Sequence, residues 1–228
     1  KAEILFYLGK IHEAENIANT AINLFSNMDD REGLADIYVV LGYDYYIQEE
    51  NWGNASQCLE KVIALLGDNL KNYVDKYIRV LLGQIHINLA YQNYENNDEL
   101  LLKLNEIIKQ KNLSWWEPAL NYVKGLNFVK QNQNSQALDC FFIAEEQAKL
   151  DGSPDYLAII QIEIAKLLNV SPKKLEYINS AIYSAYTRAR YFDKKKCYLY
   201  AVTSSSQDQL LQHRLNQLKQ QVSLKNRL

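Results

Sequence analysis

The chain has 228 residues, 48% apolar and 23% charged, with a net charge of −2. That is enough apolar material for a sizeable core and too much for disorder, and the near-neutral balance offers no global basic field to attract nucleic acid. No apolar run reaches the roughly 18 residues expected of a membrane span, and three prolines and eight glycines leave few interruptions to helix.

In chain order, a partial helix pair is expected over residues 1–28, its second helix starting near residue 12. Helix pairs follow over 32–50 with 53–67, 70–93 with 97–111, 117–132 with 134–150, and 154–169 with 172–190. One helix near 192–203 and a last one near 207–226 complete the chain. Ser153-Pro154 and Ser171-Pro172 each place an N-cap before a proline in the first turn, where the missing N–H costs nothing, and Glu117-Pro118 opens a helix in the same way. Ala55, Leu59, Val62, Ile63 and Leu66 form one apolar stripe at helical spacing; Ala137, Phe141, Ala144 and Ala148 form another. A period of two never persists, so the expected class is all-α. Short links make the partners of each pair antiparallel, and apolar residues on more than one face of each pair call for stacking on the next. The expected organisation is a repeat array over 1–190, about four and a half helix pairs, with C-terminal helices over 191–228 that cap it or connect onward.

The same order of residues recurs. Gly42, Gly83 and Gly125 are separated by 41 and 42 positions, while Ala14, Ala55 and Ala137 are separated by 41 and 82. A period in this range marks a repeat array. Gly42 with Tyr45 and Ala55, and Gly125 with Phe128, Ala137, Phe141 and Ala144, resemble the tetratricopeptide repeat. Small residues in both helices of a pair permit close approach, and large ones fill the gaps between pairs. The stretch 117–150 matches best, and 32–67 needs a one-residue insertion, placed at Trp52-Gly53. The pair at 70–111 keeps Gly83 but lacks the alanine of its second helix, and Ala165 stands in for glycine in the pair at 154–190.

The resemblance covers residues 10–190 and implies a right-handed superhelical solenoid. The spacing of about 41 exceeds the usual 34 residues. It is similar to the sensor regions of bacterial regulators, both peptide-responsive quorum-sensing receptors and large sugar-responsive activators.

What the resemblance implies is a non-enzymatic module that takes a peptide or protein segment in a concave groove lined by the first helix of each pair. In this register the groove residues are Tyr43, Tyr46, Gln84, Asn88, Tyr122, Leu126, Lys130 and Lys166. Tyrosine offers flat amphipathic area at low entropic cost, and Asn and Gln pair with peptide backbone groups. The alternative is that the tyrosines, 17 in the chain, serve only inter-helix packing. Relatives that grip a terminal carboxylate carry Lys and Asn one turn apart; here Val39 with Tyr43, and Val80 with Gln84, occupy those places. A structural scaffold or oligomerisation module without a small ligand is the second functional reading.

Motifs for chemistry are scarce. The chain has no GxxxxGK[ST], GxGxxG or HExxH pattern, and His12, His86 and His213 share no metal-ligand spacing. The expectation is no enzyme, no cofactor and no metal. Cys58, Cys140 and Cys197 lack CxxC spacing and read as buried free thiols of a reducing, cytoplasmic compartment. Asn54-Ala-Ser56, Asn112-Leu-Ser114 and Asn169-Val-Ser171 match the glycosylation sequon, as an Asn-rich chain does by chance. Glu49-Glu50 and Glu145-Glu146 are adjacent on helices and point to different faces. Lys194-Lys195-Lys196 reads as a solvated helix end. Trp115-Trp116 covers the end of the preceding pair or contacts a partner. Leu211, Leu215, Leu218 and Val222 form a narrow stripe on the last helix, suited to capping, to a homodimer seam or to a connector. Lys1 falls inside an apolar helical pattern, as in a fragment or a processed product. No nucleic-acid or membrane contact is expected of this segment.

Overall fold

A computed structural model of the chain describes residues 1–150, 154–169, 172–187 and 191–204, together with the isolated residues 216, 219 and 220. Apart from those three residues the last predicted helix, with its stripe Leu211, Leu215, Leu218 and Val222, lies outside them, as do the N-caps Ser153 and Ser171. Among the described residues the protein is all-α: eleven α-helices, short 3₁₀ and π segments, and no strand. The chain divides into two compact units, residues 1–112 and 113–228.

The first unit contains α1 (Ala2–Leu8), α2 (Ile11–Asn27), α3 (Arg31–Val39), a π-helical segment Val40–Tyr46, α4 (Trp52–Leu66), α5 (Val74–Ala90) and α6 (Asn97–Gln110). Each helix packs on its successor, and α3 also touches α5. Helix α5 begins later than the periodicity predicts. A 3₁₀ segment, Gly67–Asn72, fills the gap and is pinned by buried Leu70. Gly67 enters it at φ 52° and ψ −135°, a conformation open essentially to glycine alone.

The second unit contains α7 (Glu117–Lys130), α8 (Asn134–Leu150), α9 (Pro154–Leu167), α10 (Pro172–Thr187) and α11 (Tyr191–Ser204). Here too each helix packs on the next, and α9 contacts both α7 and α11. Its C-terminal core is built from Ala158, Ile162 and Ala165 of α9, Ile178, Ala181, Ile182 and Ala185 of α10, and Cys197 and Ala201 of α11. Alanines at these crossings let the helix axes approach, and the isoleucines fill the remaining space.

One turn type recurs between helices. Gly9, Asp29, Glu50, Gln92 and Asn132 all have positive φ, between 52° and 77°. In each case the next residue's N–H reaches back to a carbonyl five positions earlier at 2.9 Å: Lys10 to Leu5, Asp30 to Phe25, Asn51 to Tyr46, Asn93 to Asn88 and Gln133 to Phe128. This left-handed closure satisfies carbonyls that the helix end would otherwise orphan. Asp30 and Asn51 then cap the following helices, accepting from the Gly33 and Asn54 amides at 2.9 and 3.3 Å.

The small residues sit where the repeat pattern needs them. Ala14, Ala55 and Ala137 are fully buried. Leu59 of α4 lies against both Gly42 of its own pair and Gly83 of α5, so a single side chain occupies the space left by two glycines. Phe141 of α8 lies against Gly125 of α7 in the same manner.

The extra residue of the 32–67 pair is not at Trp52-Gly53. Gly42 precedes Ala55 by 13 positions and Gly125 precedes Ala137 by 12, yet the left-handed turn residues Glu50 and Asn132 each lie five before their alanine. The insertion therefore falls before the turn, in the Val40–Tyr46 π segment, where the Ile47 N–H reaches the Gly42 carbonyl at 3.1 Å. A π turn is how a helix takes in one residue without breaking.

Candidate interaction surface

The groove residues expected from sequence divide between the units, with Tyr43, Tyr46, Gln84 and Asn88 in the first and Tyr122, Leu126, Lys130 and Lys166 in the second. Tyr43 on the π segment is only 4% exposed and Tyr122 on α7 only 6%. The Tyr122 ring packs 6.0 Å from Phe141 and 6.3 Å from Tyr156, centroid to centroid. Most of the area of these two rings is spent inside the protein. Tyr46 is half-buried with its ring 4.9 Å from that of Tyr45, and burial and the nearby Cys58 and Glu15 raise its pKa.

Gln84 and Asn88 lie one turn apart on α5 and are both half-buried. Asn88 donates to Oδ1 of Asn97 at 2.9 Å, and Asn97 is fully buried at the start of α6. That bond ties the two helices of this pair together. In the second unit Leu126 is half-buried on α7 and Lys130 is exposed at its end. Lys166 is exposed on α9, bonded to Glu163 at 2.6 Å and poised 5.8 Å above the Tyr200 ring of α11.

The surface also carries a charge network that periodicity does not reveal. Arg79 of α5 is 2.7 Å from Asp44 of the π segment and 2.9 Å from Glu3 of α1. Its Nε lies 3.0 Å from Asp75 but makes no aligned hydrogen bond there. Burial works against the Arg79 charge, yet Asp44, Asp75 and Glu3 outweigh it and raise the pKa. One turn earlier, Lys76 reaches Asp36 at 2.9 Å and Glu32 at 3.6 Å, with its ammonium 4.5 Å above the Tyr73 ring. Tyr73 donates its hydroxyl to Glu32, which raises the phenol pKa.

A second polar network is buried in the second unit. Gln161 of α9 donates to Glu145 of α8 at 2.9 Å and accepts from the Ser184 hydroxyl of α10 at 3.0 Å. Glu145, itself buried, also holds Lys149 at 2.8 Å. Its neighbour Glu146 is exposed, so the two adjacent carboxylates face different surroundings.

Burial raises the pKa of all three thiols: Cys58 to about 11, Cys197 well above the ordinary value, and Cys140 less. Trp115, in the 3₁₀ turn Ser114–Trp116, is 55% exposed, whereas Trp116 is half-buried. Among the described residues no group of three or more His, Cys, Asp or Glu is placed to hold a metal ion, and no helix is long and apolar enough to cross a membrane. Searches against family models, curated proteins and solved structures found no match to this chain.

Proposed function

We propose that the chain is a tetratricopeptide-like repeat module that binds a peptide or protein segment, as the sensory or interaction region of a bacterial regulator. The observation that carries this reading is the recurrence of one unit of construction. A small residue at the helix crossing, a left-handed turn and a buried alanine five positions later recur at Gly42, Glu50 and Ala55 and at Gly125, Asn132 and Ala137. Within each unit first helices also meet one another, α3 with α5, and α7 with α9. Stacking of that kind builds a superhelix whose first helices line a concave face.

On this reading Gln84 is the contact residue to test, because it is half-buried on α5 beside Gly83. A peptide library panned on the protein supplies ligands, and any hit is titrated against wild type and Gln84→Ala. Weakening by roughly tenfold matches the loss of one buried hydrogen bond. Equal affinities would remove Gln84 from the surface, and a library without hits would remove the peptide reading.

The burial of Tyr43 and Tyr122 favours a second reading, a scaffold whose tyrosines serve packing alone. It predicts that no peptide binds and that Tyr43→Ala acts on stability only.

A further inference from the structure

Residues 16–27 of α2 and its C-cap Met28 include no charged side chain, although eight of these thirteen residues are exposed. The unit around them is acidic: residues 1–112 hold 10 basic and 17 acidic side chains, a net of −7. Two rows run side by side along the uncharged stretch at helical spacing. Asn16, Thr20, Asn23 and Asn27 form a polar row, every member of it exposed; Ile17, Ala21, Leu24 and Met28 form an apolar row beside it. The apolar row is half-buried at Ile17 and Ala21 and opens towards its C-terminal end, where Leu24 is 56% exposed and Met28 71%. Exposed apolar residues scattered singly need no explanation. A row of them, bordered by amides and free of charge, has the charge-depleted character of an interface core.

We propose that two copies of this chain associate through this face of α2, the two helices lying antiparallel about a two-fold axis. The contact lies wholly within the first unit, and it holds whether or not the chain takes a peptide. A partner bringing charged groups here would bury them without a counter-charge, at more cost than the apolar contact returns. A second copy brings none, and the uncharged stretch is where two acidic units can approach without setting like charges together. The surface also fits itself. Face to face, antiparallel helices set like rows opposite each other, whereas parallel ones would set the amides against the apolar row. An amide both donates and accepts, so the Asn row of one copy pairs with that of the other while the apolar rows cover each other, as a two-fold contact requires. A helix of 17 residues is about 25 Å long, and one face of it falls well short of the roughly 800 Å² that each partner gives to a standard interface. The dimer is therefore a weak, micromolar one.

Sedimentation velocity on the full chain tests this from about 1 to about 100 μM, the range in which a micromolar dimer forms. The expected result is a dimer whose dissociation constant does not rise between about 0.01 M and about 1 M salt, because screening relieves the repulsion between the acidic units. L24E/M28E places charge on the two most exposed positions of the apolar row. T20R/N27R places it on two exposed polar positions flanking Leu24, and arginine is the better helix former at both, so folding is spared. Each variant, with its helical content verified by circular dichroism, is expected to dimerise at least tenfold more weakly, since association buries unpaired like charges. L24E/M28E mixed with L24K/M28K is expected to form a heterodimer tighter than either homodimer, a rescue that requires the same face in both copies. A wild type that stays monomeric at about 100 μM overturns the proposal. So does a dimer that survives L24E/M28E and T20R/N27R unchanged, which places the seam elsewhere in the chain.

Discussion

The ring of Phe141 on α8 fills the space in which a Cβ on Gly125 of α7 would sit, with Cδ1 2.6 Å from that position. Phe141 is itself fully buried, so the ring has nowhere to retreat. Gly125→Ala is therefore expected to destabilise by about 1–3 kcal/mol through overpacking, in spite of the better helix propensity of alanine. Gly53, in the first turn of α4, has nothing within 4 Å of its would-be Cβ. Gly53→Ala should stabilise by roughly 0.5 kcal/mol. Thermal melts of the two variants should move in opposite directions, and a shared direction would contradict the close approach of α7 and α8.

Arg79 offers a test of how α1, the π segment and α5 are held together. Arg79→Ala leaves Asp44, only 15% exposed, without its nearest cation. Removing one partner of a buried pair typically costs about 3–5 kcal/mol, and the half-exposed Glu3 and Asp75 should add little. Arg79→Ala with Asp44→Ala should recover much of the loss. Urea unfolding of the single and double variants measures the coupling.

Alkaline pH should destabilise the fold partly through Cys58. Its folded-state pKa is raised to about 11 by burial, so the unfolded chain ionises first. The contribution is intact below about pH 8.5 and is lost as pH rises towards 11, amounting to roughly 2–3 kcal/mol for a shift of this size. Denaturant unfolding at pH 8 and near pH 11 should show the decline, and Cys58→Ala should flatten part of it. At neutral pH the native thiol should react with a disulfide reagent only as fast as the protein opens.

Asn88→Ala is expected to act on folding as well as on any ligand. It removes the amide that donates to Oδ1 of the buried Asn97, at a cost of about 1–2 kcal/mol. Chemical denaturation separates this from a binding effect, and for that reason Gln84 is the cleaner probe of the surface.

Helix pairs were legible because small residues at crossings and apolar stripes at helical spacing are strong local signals. Gly42, Gly125, Ala55 and Ala137 each occupy the place their spacing predicts. The insertion was misplaced because Trp52-Gly53 has the composition of a loop, while nothing in Val40–Tyr46 marks a π turn by residue type. The surface was less legible. A tyrosine facing a groove and one facing the next helix look alike in sequence, and only packing distinguishes half-buried Tyr46 from Tyr43. The bonds from Arg79 to Glu3 and from Asn88 to Asn97 depend on which helices meet, information that no single helix carries.

The π turn at Val40–Tyr46 bears on how such a chain can change length. A residue added inside a first helix would ordinarily rotate everything after it by about 100° and turn the crossing glycine or alanine off its partner. Here the added residue is absorbed between Gly42 and the turn at Glu50, so Gly42 and Ala55 keep the alignment seen at Gly125 and Ala137. Within the widened turn, Tyr45 stacks on Phe6 at 4.5 Å and Asp44 lies 2.7 Å from Arg79. Length variation of one residue can thus be tolerated inside a helix, upstream of the loop.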